Sequence, residues 1–119
     1  MPYWGTDTDW IAEEDIATGD IVVLGTVFDR GIRKAVSGQT NIVGISQVVI
    51  ASGATATIRV FGEGIVNVGS NVVSKGDLII ASTTPGIGIA ATNISYYGQV
   101  AGMALESGTG LKRVMIFHI

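Results

Sequence analysis

The sequence contains no cysteine, which excludes both a disulfide framework and a thiolate metal site, so stability must come from packing, with oligomerisation as a further source. Histidine occurs once, as His118, and leucine only four times. Charged residues make up 14% of the chain, and their only basic cluster is Arg30, Arg33 and Lys34, which falls short of the footprint of a nucleic-acid binder. No apolar run approaches the roughly 18 to 20 residues of a spanning helix, and Met1-Pro2-Tyr3-Trp4 is not the start of a signal peptide, so no membrane partner is expected.

What is abundant points one way. Sixteen Ile and fourteen Val suit a pleated surface, because their χ1 freedom is already restricted, and 17 Gly supply turns, bulges and bends. The composition is that of an all-β protein, and 119 residues fit one domain. Net charge is −3, but Asp7, Asp9, Glu13, Glu14, Asp15 and Asp20 place six of the ten acids in the first 20 residues. The remainder is mildly basic.

An imperfect tandem repeat of about 55 residues runs through the chain. Gly19-Asp20-Ile21-Val22-Val23 matches Gly76-Asp77-Leu78-Ile79-Ile80, Gly31 to Ala35 matches Gly86 to Ala90, Ile50 to Gly53 matches Leu105 to Gly108, and Arg59-Val60 matches Arg113-Val114. Each Gly-Asp pair reads as a bend that the Asp closes by bonding to nearby backbone. The repeats are expected at about 16–62 and 63–119.

From Asp20 onward, short apolar segments alternate with turn signals at the 8- to 12-residue spacing of a β-sandwich or barrel. The expected strands are Ile21 to Val27, Gly31 to Ala35, Ile42 to Ile50, Thr55 to Phe61, Gly64 to Val68, Asp77 to Ala81, Ile87 to Ala90, Gly98 to Leu105 and Lys112 to His118, about nine in all. Gly62-Glu63-Gly64 reads as a hairpin connection between two of them. Thr55 to Phe61 alternates and should be half exposed, whereas Ile42 to Ile45 and Leu78 to Ile80 are apolar on both faces and should lie centrally. Residues 1–15 read as an extended N-terminal arm before a single β domain at 16–119, with room for a short helix or turn over Trp10 to Ala17. Its large aromatics cover a surface elsewhere or simply close one end of the core. The apolar C-terminal strand must pair with a neighbour or a partner chain.

The chemical inventory is thin. His118 lies between Phe117 and Ile119 as a pleat position without metal-ligand spacing. Gly62-Glu63-Gly64 lacks both the spacing and the following helix of a phosphate loop. A hydrolase using Asp20 and Asp77 would need both carboxylates in one cleft, and a biotinyl or lipoyl carrier would need a modifiable lysine at a hairpin tip between its typical neighbours. No catalytic, cofactor-binding or metal-binding residue is expected. The candidate interaction residues are the unmatched ends of the repeat: Tyr3, Trp4, Trp10, Phe117 and Ile119.

The order Ile16-Ala17-Thr18-Gly19-Asp20-Ile21-Val22-Val23, Gly62-Glu63-Gly64-Ile65-Val66, Val73-Ser74-Lys75-Gly76-Asp77-Leu78-Ile79, and Tyr97-Gly98-Gln99-Val100-Ala101-Gly102-Met103-Ala104-Leu105 resembles the β-rich decoration (cement) proteins of tailed-phage heads, including the capsid-fibre type. The resemblance covers roughly residues 16 to 119. It implies a protein without enzymatic activity on the outer surface of the capsid, bound to the major capsid protein and commonly trimeric. The alternative is a β domain of a fibre or spike that binds a receptor or carbohydrate through aromatics such as Tyr96 and Tyr97.

Overall fold

A computed structural model describes residues 5–92 and 98–118. The described residues form nine strands: β1 (Gly5–Ala12), β2 (Ile21–Leu24), β3 (Gly31–Lys34), β4 (Ile42–Ser46), β5 (Thr55–Asn67), β6 (Leu78–Ala81), β7 (Gly88–Ala90), β8 (Val100–Ala104) and β9 (Leu111–Ile116). Their order is β1-β3-β2-β4-β5-β9-β8-β6-β7, and β1 also pairs with β5. That extra pairing closes β1-β3-β2-β4-β5 into a five-stranded barrel, mixed because β1 is parallel to β3. The other four strands pack outside it.

The expected nine strands are present in number but not in identity. Gly62-Glu63-Gly64 is no hairpin: β5 runs through it as one strand of 13 residues. Gly62, at φ 103°, lets the strand bend there and change partners. Residues before the bend pair with β1 and β4, and those after it with β9. The extended N-terminal segment is extended, and its residues Gly5–Ala12 are paired as β1 along the first half of β5. The helical option over Trp10 to Ala17 is not taken, because Ile16 bridges to Ile50. The C-terminal strand finds its neighbours in β5 and β8.

Pairing registers expose the repeat more exactly than residue matching. In the first repeat Ile21, Val22 and Val23 pair with Ile45, Gly44 and Ile42 across a bulge after Val22. In the second, Leu78, Ile79 and Ile80 pair with Met103, Gly102 and Val100 across a bulge after Ile79. Ile32 thereby corresponds to Gly88, one residue off the match made on glycines. The same logic sets β1 against the second half of β5: Asp7 faces Arg59 as Glu63 faces Met115. Each unit is thus five strands, and residues 5–12 open the first as residues 62–67 open the second.

Only the first unit closes. In the second, the seam between β5 and β7 is taken by backbone of the first: Asn67 N–H donates to Gly19 O at 2.9 Å and Ile21 N–H donates to Gly86 O at 2.9 Å. Two cores result. One fills the barrel with Ala12, Val22, Ile32, Val43, Ala56 and Ile58. The larger lies between units, where Ile21, Val23 and Ile45 meet Val66, Ile79, Val114 and Ile116. Each such buried side chain is worth about 1.5–3 kcal/mol, and β2 and β4 are apolar on both faces because each face lines a different core.

Candidate interaction surface

The two Gly-Asp bends are the same object. Ala17 to Asp20 and Ser74 to Asp77 are turns closed by Asp20 N–H to Ala17 O (3.1 Å) and Asp77 N–H to Ser74 O (2.9 Å), with Gly19 and Gly76 at φ 86° and 95° as a type II turn requires. In each, the carboxylate accepts the N–H three residues earlier at 2.8 Å, Ala17 for Asp20 and Ser74 for Asp77. Asp20 is buried in the junction between units, where a Cβ on Gly86 would lie 2.7 Å from its carboxyl carbon. Burial pushes its pKa above the usual carboxylate range, against the Ala17 hydrogen bond and Lys34 that pull it down. Each carboxylate is committed to its own turn, which is not the arrangement of a two-acid cleft.

The other N-terminal acids are also used internally. Glu13 accepts three backbone N–H bonds, from Thr26 (3.1 Å), Val27 and Phe28 (both 3.0 Å). The Phe28 bond foremost holds its carboxyl below the ordinary glutamate range, despite partial desolvation. Glu14 accepts from Lys34 N–H at 2.9 Å, Asp15 from Ser52 N–H at 2.9 Å, Asp9 from the Thr57 hydroxyl at 3.1 Å, and Asp7 pairs with Arg59. A sequence count sees an acidic tail, whereas the fold makes these six acids its fasteners.

The expected interaction residues separate. Trp10 is half-buried on the barrel core, its indole N–H donating to the Thr8 hydroxyl at 2.6 Å and its ring lying 4.3 Å beneath the Arg30 guanidinium. Phe117 is half-buried just past β9, with its N–H directed at Ala101 O. Five residue steps along β1, about 17 Å at strand rise, separate Trp10 from Gly5. Tyr3, Trp4 and Ile119, with Tyr96 and Tyr97, lie outside the described residues. The structure does bring Gly5 and Ile116 together, since both pair with Gly62, and His118 Nε2 lies 2.9 Å from Val60 O.

Sequence reasoning missed the surface that Glu13 builds. Its carboxylate seats the turn Thr26 to Asp29, which displays Val27 and Phe28, 70% and 46% exposed. The glycines flanking this turn leave room for that carboxylate, because a Cβ on Gly25 or Gly31 would displace it. The corresponding turn of the second unit carries Thr83 and Thr84 instead, and Gly69 stands at the place of Glu13. The signal was a Val-Phe pair beyond a strand end, hidden by extending the strand to Val27. A second exposed apolar pair is Val48 and Val49, and Val49 lines a depression of about 430 Å³ with Ile16, Ala17, Ile50 and Ala51, at which Asp15 and Lys34 also stand. Among the described residues no three His, Asp or Glu side chains converge as a metal site would need.

This architecture has a counterpart. The chain is similar in fold to the head fiber gp8.5 N base of bacteriophage phi29. That crystal structure matches with a TM-score of 0.67 over 93% of this chain and 92% of the other, at 14% sequence identity. At that identity the likeness establishes the shared fold. No protein-family model matches the sequence, and no curated protein does.

Proposed function

We propose that this chain is a structural protein of a tailed-phage head, seated on the outer surface with the major capsid protein as its partner, stabilising the shell as a homotrimer. The observation that carries this reading is the fold shared over 93% of this chain with the base of a phage head fibre. Supporting it, the carboxylates of Asp20 and Asp77 are tied to backbone, and the unsatisfied character of the surface is apolar, in Val27, Phe28, Val48 and Val49. Such side chains suit a broad protein contact, and repetition over a symmetric shell multiplies a modest affinity.

The test is co-sedimentation of the purified chain with heads from a deletion mutant of the encoding phage. Saturable binding at a fixed number per head, with raised resistance of the heads to heat, is expected. No co-sedimentation would overturn the assignment. Glycan-array binding by the free chain, without head binding, would replace it with a receptor-binding fibre domain.

A further inference from the structure

The two units carry the same row of residues across their outer faces, and the rows differ where it matters. In the first unit the row is Ile21, Ile45, Arg59 and Asp7; in the second it is Leu78, Met103, Met115 and Glu63. Ile21 and Ile45 are fully buried, because the second unit's sheet covers them. Beyond that cover the row carries the Arg59–Asp7 ion pair, in which Asp7 reaches solvent and Arg59 is largely covered. In the second unit Met115 replaces the arginine. Leu78, Met103 and Met115 alternate with the core residues Ile79, Ala104, Val114 and Ile116, so they point away from the core, yet neither core includes them. Ile65 extends this apolar face on β5, where the first unit has Asp9.

We infer that this face, centred on Leu78, Met103 and Met115, is where a second copy of the chain docks. The occupant follows from the molecule itself: the equivalent face of the first unit is buried by a sheet of this same chain, so a sheet of this chain is a shape that such a face accepts. The differences point the same way, since Ile65 stands where the first unit has the exposed Asp9, and Met115 stands where it has the ion-paired Arg59. Methionine adapts to an imperfect partner surface. Glu63 and Arg113 at the margin carry opposite signs, so two copies meet without net repulsion.

This inference rests on the self-association proposed above, not on head binding. It is tested with the full chain and M115R, a variant the fold should accept because Arg59 already occupies that place opposite an acid. Sedimentation velocity across concentrations should show an oligomer for the wild-type chain and a dissociation constant raised by about tenfold or more for M115R, with circular dichroism unchanged, because the new charge loses its water in the contact. Oxidative footprinting of the wild-type chain should show Met103 and Met115 protected more as concentration rises. If M115R misfolds, that footprint alone decides. A wild-type oligomer unaffected by M115R overturns this face and leaves self-association standing, whereas a wild-type monomer overturns both. Protection of the two methionines at every concentration would mean that the chain covers its own face, and would also overturn the inference.

Discussion

Asp20 and Asp77 close identical turns 57 positions apart, yet only Asp20 does so in the interior. The turn occurs once in each unit, and packing between the units buries one of the two. Loss of water at Asp20 raises its pKa.

The first prediction follows from that difference. Asp20→Ala leaves the Ala17 N–H unsatisfied in a buried seam and should cost about 1–3 kcal/mol, whereas Asp77→Ala, in an accessible turn, should cost about 0.5–1 kcal/mol. Urea unfolding of both variants checks the order. Equal costs would show that the buried setting adds nothing.

The pH dependence of Asp20 has a definite sign. Its folded pKa lies above the unfolded value near 3.8, so its contribution is full below that value and is lost as pH rises through the folded pKa. Asp20→Asn should flatten this fall while retaining an oxygen for Ala17 N–H. Thermal melts from pH 3 to 7, compared with the wild-type chain, read the difference.

Glu13 has the opposite sign. Its folded pKa lies below 4.5, so its contribution is present above that value and lost as pH falls through the lowered one. Glu13→Ala should free the turn it seats, and amide exchange at Thr26, Val27 and Phe28 should accelerate on the order of tenfold while β6 to β9 stay protected. In a head-binding assay the same variant should weaken binding if the Val27–Phe28 tip touches the capsid.

Gly44 and Gly102 occupy the same place in the two units, and a Cβ on either would come within 2.3 Å of a backbone carbonyl, that of Arg59 or Met115. Gly44→Ala and Gly102→Ala should each cost more than about 2 kcal/mol, because a strand and not a flexible side chain must move. Chemical denaturation of the two variants should give similar losses.

Gln47 stands in for a missing strand. Its amide accepts from Ile65 N–H at 2.8 Å and donates to Ile65 O at 3.1 Å, completing β5 just past its bend. Gln47→Ala should cost about 1–3 kcal/mol, and Gln47→Glu should be no better, because a carboxylate has no hydrogen for the Ile65 carbonyl. Melting temperatures of both variants decide this.

Much of the fold was legible in local pattern. The alternation of Thr55 to Phe61 gave its buried face, with Ala56 and Ile58 inside, because period two survives whatever the strand packs against. The Gly-Asp turns were legible for the same reason, since their geometry needs only four residues. The continuous β5 was not, because glycine serves a bend as well as a hairpin and only the partners on either side distinguish them. The acids misled for a related reason: Glu13 reads as solvated tail until the N–H groups of residues 26 to 28 arrive from 13 to 15 positions away.

The sequence by itself determined that this is an all-β chain built from two related units, because β-branched composition and a repeated turn act within a few residues. Tertiary structure alone decided that the first unit closes into a barrel while the second stays open. The backbone of Gly19 to Ile21 enters the second unit's seam, and no sequence period encodes which of two like edges another segment will reach first.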